Sequence, residues 1–133
     1  MELLIVVAVI GIIAAIAIPY LMHAKQAARA ASAISSLRVI HSSEVTYRQT
    51  SGVYGNIAAL ASAGVLNDPS LIAGSKSDYN FDASASAVPS ESYSGTATPA
   101  AAASIWNHYY IDESGVIRFE IGTPASASST PVQ

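Results

Sequence analysis

The chain has 133 residues, no cysteine and a formal net charge of −3, and 51% of its residues are hydrophobic. This length allows one small domain with an appended helix and no more. The mildly acidic charge gives no indication of nucleic-acid binding, and the absence of cysteine excludes disulfides, thiol chemistry and zinc clusters held by cysteine.

The first element is an apolar run of sixteen residues, 3–18, which follows Glu2 and is closed by Pro19. The uncharged stretch continues to Met22, which gives about the length that a bilayer needs. A carboxylate beside such a run is costly in lipid or in a protein core unless a positive group meets it. Glu2 is therefore a candidate functional residue.

Three ordinary explanations compete for this run. A secretory signal peptide needs a basic region before Leu3, which is missing if Met1 is the true start, although Ala15-Ile16-Ala17 matches a cleavage site. A single-pass membrane anchor fits the length. A buried helix of a soluble domain does not fit, because 133 residues cannot easily surround a helix that is apolar on every side.

Glu2 followed by LLIVVAVIGIIAAIAIP resembles the N-terminal helix of type IV pilins. The resemblance implies a bacterial pilus subunit that is anchored in the inner membrane before assembly and belongs to an extracellular helical homopolymer afterwards. It also implies filament-assembly roles for Glu2, Gly11 and Pro19, and a prepilin peptidase and a pilus assembly machinery as partners. Because the family's mature chain starts with a methylated residue and has its glutamate fifth, about three residues are expected before Met1.

Within this run, Gly11 and Pro19 predict a break of the helix in an assembled filament. Proline lacks an N–H and crowds the carbonyl four residues earlier, which costs about 3 kcal/mol or more in a regular helix, and glycine adds about 1 kcal/mol. Type IV pilins, which the sequence resembles, melt between matching positions. We expect the same between Gly11 and Pro19, with a kinked but continuous helix as the alternative.

Beyond the hydrophobic segment 1–22, residues 23–50 predict an amphipathic continuation of the same helix. Its apolar residues recur at three- and four-residue spacing and form one stripe: Ala27, Ala30, Ile34, Leu37 and Ile40 or His41. The charged residues are expected to lie mainly off this face, with His41 and Glu44 as a surface pair. At about 1.5 Å per residue the helix would span roughly 70 Å, so part of it must protrude from a small domain.

Residues 51–76 predict a connecting loop with short helical turns, in which Asn56 caps a turn and Asp68-Pro69 starts another. Residues 77–121 predict an antiparallel sheet, with strands at 77–82 and 90–98 and a hairpin at 107–120 whose turn is 112–115. In that hairpin, Tyr109, Ile111, Val116 and Ile117 are candidates for packing on the stripe. Residues 122–133 lack periodicity and predict an extended tail.

The predicted fold is therefore α+β and ladle-shaped. A long protruding N-terminal helix packs through its C-terminal half against a small antiparallel sheet. Residues 47–56 and 109–118 resemble, more loosely, the end of the pilin helix and a terminal pilin hairpin. The sequence departs from many pilins because it has no cysteines for a C-terminal disulfide.

No catalytic, cofactor or metal site is predicted, and the chain is not expected to be an enzyme. His23, His41 and His108 are isolated, and neither Asp78 with Asp82 nor Asp112 with Glu113 has the spacing of a calcium loop. The aromatic residues are better explained by packing than by conduction along the filament. Minor pilins, type II secretion pseudopilins and a simple anchored domain stay open as alternatives. So does the filament's purpose, whether adhesion, motility, DNA uptake or conduction.

Overall fold

The computed structural model describes residues 1–86, 91–101 and 106–133 and has an α+β architecture, as predicted. Helix α1 (Glu2–Ser51) is followed by the short helices α2 (Ile57–Ser62) and α3 (Pro69–Ile72). The described residues then form six strands: β1 (Ser75–Lys76), β2 (Tyr79–Ala85), β3 (Tyr93–Pro99), β4 (Asn107–Asp112), β5 (Arg118–Ile121) and β6 (Thr130–Pro131).

These strands make one antiparallel sheet in which each strand pairs with its neighbour in the chain. The central register places Ser94 opposite Asp112 and Tyr110 opposite Arg118. The predicted 112–115 turn is present, and Gly115 occupies the left-handed conformation there, with φ 73°. Its N–H donates to the carbonyl of Asp112 at 3.0 Å, so a local turn fixes the hairpin register.

Helix α1 is continuous through Pro19 and ends at Gly52. Gly52 has a left-handed φ of 76°, and its N–H donates to the carbonyl of Arg48 at 2.9 Å. Glycine adopts this conformation without the steric cost that a side chain would add, which explains why the helix stops there. The predicted extent of the helix is thus confirmed.

The core lies between the second half of α1 and one face of the sheet. The predicted stripe supplies the helix side: Leu37 and Ile40 are fully buried, and Ala30 and Ile34 are partly buried. Ala27 is exposed, because it lies nearer the protruding half. The sheet side contributes alternate residues of its central strands: Tyr79, Phe81, Ala83, Tyr93, Ala97, Tyr109 and Ile111.

The connection between α1 and the sheet contains the two short helices, each started by a polar side chain. The Asn56 side chain accepts a hydrogen bond from the N–H of Ala59 at 2.8 Å, as predicted for a cap. The Asp68 side chain accepts from the N–H of Ser70 at 3.0 Å, so the Asp68-Pro69 pair starts a helix rather than a simple turn.

Glu44 and the C-terminal segment differ from the sequence predictions. Glu44 is completely buried rather than off the packed face, because it lies four residues after Ile40 and therefore continues the stripe. Residues 122–133 are extended but not free: Thr130 pairs with Phe119, and the N–H of Val132 donates to the carbonyl of Ile117 at 2.8 Å. Edge pairing of this kind depends on contacts that local periodicity does not reveal.

The strand limits also shift. β2 begins at Tyr79 because Ser77 and Asp78 have left-handed φ values of 52° and 62° and form the turn before it. β3 begins at Tyr93, while Ser90, the first residue of the predicted strand, lies outside the described residues.

Candidate assembly surface

The apolar half of α1 is exposed along its whole length. Side chains that would normally be buried are open to solvent: Leu3 is 79% exposed, Ile12 65% and Ile16 71%. Among the described residues, α1 is the one helix long and apolar enough to cross a membrane, by length and composition. The head buries none of this membrane-length apolar segment, so its surface needs an apolar environment from elsewhere.

Glu2 lies in the first turn of α1. A carboxylate is favourable at this end because the free N–H groups of a helix N-terminus carry partial positive charge. The same side chain stands next to the apolar surface, where an unpaired charge is costly once water is removed. If that surface were removed from water, Glu2 would therefore need a positive partner.

Gly11 and Pro19 lie within the exposed half of α1. A side chain at Gly11 would meet no described atom within 4 Å, so nothing in the single chain requires glycine at this position. Pro19 has no N–H to donate to the carbonyl of Ala15, which leaves a weak point in an otherwise regular helix. Next to Pro19 an open apolar depression is lined by Ile13, Ile16, Ala17, Ile18, Tyr20 and Leu21.

The structure does not bring the three predicted assembly residues together. Glu2 and Pro19 are seventeen positions apart on one continuous helix, which separates them by about 26 Å along its axis. Gly11 lies between them. Within one chain these three residues therefore do not contact one another.

The exposed half of α1 meets the head at a junction built around Arg29. Its guanidinium lies 2.7 Å from the Asp78 carboxylate and 5.5 Å from the centre of the Trp106 ring. Trp106 also lies against Tyr79, with ring centres 6.2 Å apart. The ion pair holds the turn before β2 against the helix, and the cation–π contact holds the residue just before β4.

A polar cluster lies under the head at the other end of the helix. Glu44 Oε2 accepts a hydrogen bond from the N–H of Gly55 at 3.0 Å, and burial raises the pKa of Glu44 more than this bond lowers it. His41 Nδ1 is 2.6 Å from the hydroxyl of Tyr93. Burial and, secondarily, the Glu44 carboxylate raise the pKa of Tyr93 above its usual 10.0. This cluster fastens the connecting loop and β3 to the helix.

Neither cluster has the composition of a metal centre. Across the described ranges, no group of three or more His, Cys, Asp and Glu side chains could hold a metal ion. Asp78, considered above as a calcium ligand, instead pairs with Arg29. Burial lowers the pKa of His108 on β4, an effect that favours its neutral form.

Comparisons of the chain with protein-family models, with curated proteins and with solved structures found no match. The architecture itself, a long apolar N-terminal helix packed on an antiparallel sheet, is consistent with a pilin-like arrangement.

Sequence reasoning missed the junction residues Arg29 and Trp106 and the burial of Glu44. No local signal connects Arg29 to Trp106, because they are far apart in the chain and meet only when the sheet packs on the helix. The burial of Glu44 could have been found, since its position continues the spacing of Leu37 and Ile40.

Proposed function

We propose that this chain is a structural subunit that polymerises through the apolar half of α1 into an extracellular type IV pilus filament. The observation that carries the proposal is the complete exposure of that half beside a well-packed head. Eleven Leu, Ile and Val side chains lie between Leu3 and Ile18. At about 1.5–3 kcal/mol each, leaving them in water costs on the order of 15–30 kcal/mol.

Lipid and a bundle of identical helices both remove this surface from water. The same segment can thus serve as a membrane anchor before assembly and as the filament core afterwards, because transfer between the two environments crosses no large apolar penalty. Glu2 would then neutralise the α-amino group of a neighbouring subunit, since an unpaired charge in that core is the costlier state. From its resemblance to type IV pilins, we also propose that the chain is processed by a prepilin peptidase and extruded by a pilus assembly machinery.

The experiment is to shear cells that express the chain, collect the released material, image it and sequence its protein. The proposal predicts long filaments composed mainly of this chain. Scarce copies at filament tips would instead indicate a minor pilin or pseudopilin that primes assembly. Retention of all the protein in the membrane fraction, with no filaments, would indicate a single-pass anchored domain and would contradict the proposal.

A further inference from the structure

We infer that the junction between α1 and the head is a binding site for the phosphate headgroup of an anionic phospholipid. The site is a groove lined by Pro19, Met22, His23, Lys25, Gln26, Arg29 and Trp106, hereafter the junction groove. The inference deepens the proposed function and rests on its membrane-anchored stage, in which the apolar half of α1 lies in a bilayer.

The position of the junction groove follows from helix length. The uncharged run from Leu3 to Met22 has twenty residues, which at about 1.5 Å per residue span roughly 30 Å, the thickness of the bilayer hydrocarbon. Lys25 is three residues beyond Met22, only about 4.5 Å further along the axis. When Leu3 to Met22 fill the hydrocarbon, Lys25 therefore lies at the level of the headgroups.

The groove also changes chemistry along its length in the way that a bilayer interface does. Pro19 and Met22 form its apolar end, which is continuous with the membrane-length surface, and His23 and Lys25 form its polar end. Trp106 supplies an indole ring, a side chain that favours the headgroup region because its body is apolar and its N–H is polar.

The charge of the groove favours an anion. Helix α1 has no carboxylate between Glu2 and Glu44, and Glu44 is buried under the head. The nearby Asp78 is paired with Arg29, at 2.7 Å. Because Asp78 neutralises Arg29, the main role of Arg29 is to hold Trp106 in place. Lys25 supplies the net positive charge that a phosphate would meet, and His23 is a second donor.

The occupant is a lipid rather than free phosphate, because the apolar end of the groove suits acyl chains and offers nothing to a small hydrated anion. Near an anionic surface, one lysine changes affinity by about fivefold. We expect the chain to prefer phosphatidylglycerol over phosphatidylcholine by about this ratio, and the preference to disappear in Lys25→Gln and to return in Lys25→Arg.

The test uses the single tryptophan of the chain as its probe. The full chain is reconstituted into vesicles of phosphatidylcholine, with or without phosphatidylglycerol, and recovered by flotation. Emission of Trp106 and its quenching by a headgroup-level quencher are then measured against the phosphatidylglycerol fraction for the wild type, Lys25→Gln, Lys25→Arg and Arg38→Gln. Arg38 is the matched control, because it is exposed and lies about 20 Å further along the helix.

We expect the anionic lipid to shift Trp106 emission to shorter wavelength and to increase quenching, in the wild type and Arg38→Gln but not in Lys25→Gln. If the wild type floats but its Trp106 signals are equal in both kinds of vesicle, the junction groove is not a lipid site, and the proposed function stays intact. An undiminished response in Lys25→Gln would overturn the lipid site too, as would the same shift with inorganic phosphate in phosphatidylcholine vesicles. Failure of the wild type to float would contradict the membrane stage itself, and the groove with it.

Discussion

Glu44 on α1 accepts a hydrogen bond from the backbone N–H of Gly55 through its Oε2 atom, at 3.0 Å, inside the head. Its other oxygen, Oε1, is buried without a hydrogen-bond partner among the described residues. The carboxylate thus holds the connecting loop on the helix, although one of its two oxygens lacks a hydrogen bond among the described residues. Desolvation is the larger of the two effects, and it raises the pKa of Glu44 above 4.5.

Substitution of Glu44 should therefore change how stability depends on pH. The raised pKa means that the folded chain holds the Glu44 proton to higher pH than the unfolded chain does, so this residue's contribution to stability falls as pH rises from 4.5 through the raised pKa. Glu44→Gln removes that slope and can still accept from Gly55. Glu44→Ala loses the acceptor and should cost about 1–3 kcal/mol.

The measurement is the urea midpoint in detergent from about pH 4 to pH 8 for wild type, Glu44→Gln and Glu44→Ala. His108 has the opposite effect on the pH dependence of stability. Burial lowers its pKa below 6.5, so its contribution to the stability of the fold falls as pH drops below that value. His108 is present in all three proteins, so the difference between their curves isolates Glu44. A parallel pair of curves for wild type and Glu44→Gln would contradict the assigned pKa shift.

Deletion of residues 126–133 should destabilise the head. The deletion removes strand β6, the hydrogen bond from Val132 to Ile117 and the Arg118 contact to the Ser129 carbonyl at 3.1 Å. Each bond contributes about 0.5–1.5 kcal/mol, so a total loss of about 1–3 kcal/mol is expected in urea unfolding. Removal of exposed Gln133 alone is the control. An unchanged midpoint in the long deletion would show that β6 contributes no stability.

Glu2→Gln should abolish or strongly reduce filaments while leaving membrane insertion intact. The substitution keeps the size of the side chain and removes the charge that is proposed to pair with a neighbouring α-amino group. Filament yield after shearing, normalised to the membrane-bound protein, is the measurement. Normal yield from Glu2→Gln would rule out the proposed role of this carboxylate.

The helix between Gly11 and Pro19 should lose its regular hydrogen bonding when the chain enters a filament. In the single chain it is continuous, but Pro19 leaves the Ala15 carbonyl without its donor and the β-branched isoleucines between them tolerate extended backbone. Solid-state NMR chemical shifts of residues 11–19 in filaments should change from helical toward extended values. Helical shifts throughout would support the kinked, continuous alternative.

Much of this architecture follows from local sequence signals. The apolar run, the stop at Gly52, the Asn56 cap and the turn ending at Gly115 are each specified by a few neighbouring residues. Neighbouring residues do not specify the pairing of β6 with β5 or the contact of Arg29 with Trp106. Both depend on how distant segments meet after the sheet has formed. The candidate assembly residues Glu2, Gly11 and Pro19 lie on the exposed half of α1. Their roles stay predictions, because they concern contacts with other copies of the chain.

The most direct test of the central proposal is a density map of the filaments that this chain forms. We predict that residues 3–18 of neighbouring copies pack together at the filament axis, with Glu2 near a neighbour's amino group and the heads outside. A filament whose core is built from the β-sheets, with the apolar half of α1 outside it, would contradict the proposal.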